Sequence, residues 1–165
     1  MFTQELEAIG LFQGLAPTQL AILSGILFEK QFQKDDILFK QGDLASILYV
    51  VRRGKIIIHH KPYDGEELFV AAIEPDGVFG WSAALGHPRY TSSAVAVDDG
   101  TALAIHGAKL RCLCLQQPEA EVLILERLAG MVAERRQTMQ QQVVRLLRSE
   151  IEYNEHCMER KMQHG

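Results

Sequence analysis

Residues 78–95 read VFGWSAALGHPRYTSSAV, and they include the residues of this chain best suited to hold an anion. Val78 and Phe79 close an apolar strand. Gly80 lets the backbone turn or approach a partner closely, and residues 82–85 are expected to form one short helical turn. Such a turn leaves backbone N–H groups unpaired, and unpaired N–H groups favour negative charge. Beyond it, Arg89 brings a permanent cation that can grip phosphate oxygens in two places, and Thr91, Ser92 and Ser93 offer hydroxyls. Together these groups make a phosphate site. The same residues also allow a plainer role, with Phe79 and Leu85 in the core, Arg89 a solvated loop charge and the serines capping turns.

Other reactive side chains carry less. His59 and His60 are neighbours beside a run of isoleucines, and adjacent residues of a strand point to opposite faces, so the pair is not expected to converge on a metal ion. Cys112 and Cys114 have neither the spacing of a zinc knuckle nor a second Cys or His pair nearby. His87 is read as a solvated loop residue rather than a haem ligand. No His is placed to activate Ser92 or Ser93 as a nucleophile, so no enzyme is expected.

The elements around this stretch follow from periodicity. Leu6, Ile9, Leu11 and Phe12 suggest an amphipathic turn, and Pro17 can open a helix carrying Leu20, Ile22 and Leu23. From Leu27 the pattern changes to short runs rich in β-branched and aromatic residues: 27–32, 37–39, 47–51, 56–58, 68–73, 93–97 and 101–105. Each is bounded by a turn signal such as Gln41-Gly42-Asp43, Arg53-Gly54 or Asp76-Gly77. Asp98-Asp99-Gly100 reads as a hairpin turn between the last two runs. The fold class expected is mainly β, an antiparallel roll of the jelly-roll type, with N-terminal helices and a long C-terminal helix. From Ala108 about two helical turns are expected. Pro118 then starts a helix with one glycine and no further proline to about Met158, up to about 60 Å at 1.5 Å per residue. Three parts result: the roll over 1–117, the long helix over 118–160, and a tail over 161–165. Leu125, Leu128, Val132, Met139, Val143 and Leu146 follow steps of three and four, interrupted at Arg135-Arg136, which fits either a two-helix seam or a helix lying on its own roll.

Composition sets the boundaries. The chain has 165 residues, enough apolar content for a core, a net charge of −4 and three cysteines, Cys112, Cys114 and Cys157. An acidic balance gives no general attraction for nucleic acid. The odd cysteine count argues for reduced thiols, and no leader or membrane-length apolar run is seen, so a cytoplasmic location with no membrane partner is expected.

Phe79, Gly80, Ala83, Pro88, Arg89 and Ser92 fall on the phosphate-binding cassette of the catabolite activator and Fnr-like regulators, and nearly the whole chain resembles their cyclic-nucleotide-binding domain. The resemblance implies that a small phosphorylated ligand, a cyclic nucleotide such as cAMP or cGMP, is held without a metal by Gly80, Trp81, Ser82, Ala83, Arg89, Tyr90, Thr91 and Ser92. It departs at Trp81. Where the family has a Glu that accepts from the ribose 2′-OH, this chain has an indole with only an N–H donor. The resemblance also implies a homodimer through the long helix, which Leu128→Arg is expected to break. Relatives follow that helix with a helix-turn-helix domain, whereas here residues 149–165 are too few, so a stand-alone sensing module or a chain cut short is expected, with no direct DNA binding. The alternative is a dimeric scaffold that has lost its ligand and meets a protein partner.

Overall fold

The computed structural model describes residues 2–163, apart from the side chains of Phe2, Thr3, Arg135, Thr138, Met139, Leu146 and Glu150. Two helices, α1 (Phe2–Glu7) and α2 (Pro17–Ile26), flank a 3-10 turn at Gly10–Phe12 and lead into eight strands. These are β1 (Leu27–Phe32), β2 (Ile37–Phe39), β3 (Ile47–Arg53), β4 (Ile56–His60), β5 (Leu68–Ile73), β6 (Val78–Phe79), β7 (Ser93–Ala96) and β8 (Gly100–His106). They form two antiparallel four-stranded sheets, ordered β1-β8-β3-β6 and β2-β7-β4-β5. Among the described residues only β4 and β5 are consecutive strands that pair; every other connection crosses from one sheet to the other. The expected hairpin at Asp98-Asp99-Gly100 is therefore corrected. It carries the chain from β7 in one sheet to β8 in the other, because β8 finds its partners in β1 and β3.

Why β3 reads as a continuous apolar run is now plain. Tyr49 and Val51 face the space between the sheets, with Phe32, Ile56, Ile58, Phe79, Ala102 and Ala104. Leu48 and Val50 face the other way, against Leu6, Phe12, Leu20, Leu110 and Ile124 of the helical layer. A central strand covered on both faces loses the alternation of a half-solvated one. Burial raises the Tyr49 phenol, with Tyr90 beside it adding to the effect, from 10.0 to about 12. The folded state thus favours the neutral phenol. Its contribution to stability is complete below pH 10 and is lost as the pH rises through about 12. Melting temperature should accordingly fall over that window, with tyrosinate absorbance lagging; a Tyr49 that ionises near pH 10 in the folded protein would refute this.

Helix α3 (Gly107–Gln116) returns beneath the cassette, and α4 (Pro118–Gln163) begins at the expected proline. α4 runs into the expected tail as far as Gln163, and residues 164 and 165 lie outside those described. No described helix is long and apolar enough to cross a membrane. α4 has two apolar sides. Ala120, Ile124 and Leu128, which are 0–1% exposed, pack on their own roll, whereas Leu125 is 41% and Leu147 55% exposed. Leu128 therefore packs chiefly on its own roll, while it also lines, with Leu125, the groove beside Leu85. The seam residues Met139 and Leu146 have side chains outside those described.

Candidate functional site

β6 is two residues long, and its end delivers the chain into the cassette. Gly80 has φ +78°, and a Cβ there would stand 2.8 Å from the Ile47 carbonyl oxygen, so both its backbone conformation and its close approach to β3 require glycine. Residues 81–86 form a succession of turns rather than a regular helix. Ala83 N donates to Gly80 O at 3.2 Å, Leu85 N to Trp81 O at 3.0 Å and His87 N to Ser82 O at 3.0 Å. Of the expected helical turn, the Leu85–Trp81 bond remains. Among the described residues the N–H groups of Ser82 and Ala84 make no hydrogen bond, as an anion-binding turn requires.

The turn is fixed from below. Arg111 Nη1 of α3 donates to Ala83 O, and Gly107 N donates to Ser46 O at 2.9 Å. The loop after the turn is fixed from the side: Gly42 N donates to Tyr90 O, Tyr90 N to Asp43 O and Ala45 N to Pro88 O, all at 2.9–3.0 Å. A third clamp joins the β2–β3 loop to the end of β4, where Gln41 Nε2 donates to Lys61 O at 3.0 Å and Lys61 N returns a bond to Gln41 Oε1 at 2.8 Å. His60 Nδ1 donates to Thr91 O at 2.8 Å, and Ser93 Oγ accepts from Gln41 N at 2.9 Å. Gln41, His60, Lys61 and Arg111 thus hold the cassette; the sequence pointed to none of them in this role, and His60 was weighed there only as a metal ligand. Gln41 stood in a recognised turn, but nothing in the sequence pairs it with Lys61.

A small cavity of about 30 Å³ opens between the sheets at this point, lined by Phe39, Ile58, Val70, Gly80, Trp81, Ser82, Tyr90, Thr91 and Ser92. It gathers six of the eight expected residues. Ala83 is not among them: it is fully buried against the start of α3. Arg89 is also outside the lining, exposed, with Nη1 donating to Gly42 O at 2.7 Å. Tyr90 turns inward. Its ring stacks on Phe39 with centroids 3.7 Å apart, its hydroxyl donates to Ile47 O at 2.6 Å, and it accepts from Ile47 N at 3.0 Å. Burial pushes its phenol up. Trp81 is half-buried; it lines the cavity and also packs against the cluster that α2, α3 and α4 share. Of the two residues the plainer reading put in the core, Phe79 is fully buried and Leu85 is 43% exposed.

The family model for the cyclic nucleotide-binding domain matches residues 29–117, more than half of the chain, and spans β1 to α3 with the cassette inside it. The chain belongs to the cyclic nucleotide-binding domain family. It is 30% identical over 125 residues to the cyclic AMP receptor protein of Thermus thermophilus, covering 76% of this chain and 56% of that one. The crystal structure of the Thermus thermophilus catabolite activator protein superposes with a TM-score of 0.64 at 28% identity, over 88% of this chain and 62% of that one. The N-terminal domain of a transcriptional regulator from Streptomyces coelicolor gives 0.63 at 27% identity, over 78% of this chain and 92% of that domain. The chain spans about half the length of the curated relatives it matches. For a domain of this family, two antiparallel sheets with flanking helices and a C-terminal helix are the expected frame.

Proposed function

We propose that this chain is a cytoplasmic regulatory sensing module that takes a small phosphorylated ligand, a cyclic nucleotide being the class its family suggests, and carries the signal through α4. One observation supports this above the rest: a left-handed Gly80 followed by two unpaired N–H groups, at Ser82 and Ala84, on a turn anchored by Arg111. In this reading the turn and the Ser92 hydroxyl receive the phosphate, and Arg89 leaves Gly42 O to close on it. No metal is needed, since donors and a cation suffice. Trp81 touches both the cavity and the helical cluster, so a ligand that moves it acts on the cluster through which α4 packs on the roll. The outward side of α4, where Leu125, Ala129 and Val132 share an apolar groove with Leu85, meets a second copy of the chain. That places the cassette next to the dimer interface. Duplex DNA is not expected to bind these 165 residues, whose net charge is −4.

The test is calorimetry with cyclic AMP. The natural chain, lacking the Glu acceptor, should bind weakly or not at all. Trp81→Glu should gain roughly ten- to a hundred-fold, the value of about 1.5–3 kcal/mol for a hydrogen bond to a charged acceptor. Arg89→Ala in that background should remove the gain. Absence of binding by Trp81→Glu would favour the scaffold without a ligand, and tight binding by the natural chain would show that the indole serves as a stacking surface.

A further inference from the structure

The cavity beneath the cassette is far smaller than the ligand class proposed for it. About 30 Å³ is room for a water or two, whereas pockets for small organic ligands usually start near 300 Å³. One side chain of its lining is held in place by several contacts. Tyr90 lies on the inner wall, 6% exposed, with its ring against Phe39 and its hydroxyl bonded to both the N–H and the C=O of Ile47. The same Ile47 carbonyl lies where a Cβ on Gly80 would meet it, so the phenol is docked on the strand that borders the phosphate turn. We propose that Tyr90 is the specificity-determining residue of this pocket, a side-chain plug that a nucleotide-sized ligand must displace before it can reach the cassette.

This inference rests on the reading of the cassette as a phosphate site and adds what limits entry to it. Displacement has a definite chemistry. The phenol must leave the Phe39 face, and the Ile47 N–H and C=O must find partners in the ligand or in water, because buried backbone groups left unpaired are costly. A pocket whose competent form is rarely populated binds with an affinity lowered by that fraction. The plug therefore penalises every large ligand equally, while a phosphate compound small enough to stay at the turn escapes the penalty.

Calorimetry with cyclic AMP on Tyr90→Phe and Tyr90→Ala tests it, alongside the natural chain and Trp81→Glu. Tyr90→Ala should bind at least about tenfold more tightly than the natural chain, with Tyr90→Phe, which keeps the ring and loses both Ile47 bonds, in between. The single tryptophan, which lines the same cavity, supplies a second readout free of ligand: in both variants Trp81 emission should shift to the red and become more open to acrylamide. If Trp81→Glu gains affinity while both Tyr90 variants match the natural chain in binding and emission, the plug is overturned and the phosphate site stands. If no form binds cyclic AMP at millimolar concentration, both readings fall.

Discussion

Leu128→Arg unfolds the domain, whereas Leu125→Arg leaves it folded and monomeric. The two residues are neighbours one turn apart on α4 and line one groove, but they differ in burial. Leu128 is 1% exposed among Leu6, Phe12 and Ile124 of its own chain, so an arginine there loses the apolar contacts and places a charge with no counter-ion in the core. The cost is on the order of 4 kcal/mol, a large share of the 5–15 kcal/mol that holds an ordinary domain together. Leu125 is 41% exposed, in the groove it shares with Leu85 and Val132. An arginine there stays in water in the monomer and meets its symmetry mate only in a dimer. Circular dichroism and light scattering at tens of micromolar separate the cases: Leu128→Arg should lose its cooperative melt, and Leu125→Arg should keep it at half the natural mass. A natural chain that is already monomeric at that concentration removes the seam, and a Leu128→Arg that melts like the natural chain removes the packing argument.

The second large effect concerns Gly107→Ala, at the first residue of α3. A Cβ there would stand 2.1 Å from Ala83 O and 2.6 Å from Ala83 C, and both atoms are backbone. No rotamer relieves such a contact, so α3 and the cassette must part by about an ångström, at a cost of about 3 kcal/mol. For a chain of this size that is roughly 10 °C in Tm. Function goes with it, because the displaced carbonyl is the one Arg111 holds, and the neighbouring Ser82 and Ala84 N–H groups turn away from a common centre. Gly130→Ala, with nothing within 4 Å in the middle of α4, is the control and should gain about 0.5–1 kcal/mol. Differential scanning calorimetry decides the pair, and equal melting temperatures would refute the close contact.

What was legible in the sequence is local. Short β-branched runs between turn residues indicate strands, Pro17 and Pro118 mark helix starts, and the order of types from Phe79 to Ser92 marks the turn we propose as the anion site, because each of these depends on residues within a few positions of one another. Partnership between distant segments was not legible. Asp98-Asp99-Gly100 has hairpin chemistry, yet β8 goes to the other sheet because its Leu103 and Ile105 are wanted by the helical layer while Ala102 and Ala104 fit between the sheets. Leu125 and Leu128 obey the same spacing rule, and only the position of the roll beside α4 decides that one is core and the other surface.

The cassette divides in the same way. Its residue types, the positive φ available at Gly80 and the indole at Trp81 are properties of the sequence by itself. The inward turn of Tyr90 and the commitment of Arg89 to Gly42 O come from the tertiary structure. A side chain's direction depends on which backbone groups and rings lie across from it. Phe39 and Ile47, 51 and 43 positions earlier in the chain than Tyr90, reach it only after β2 and β3 have been wound into separate sheets.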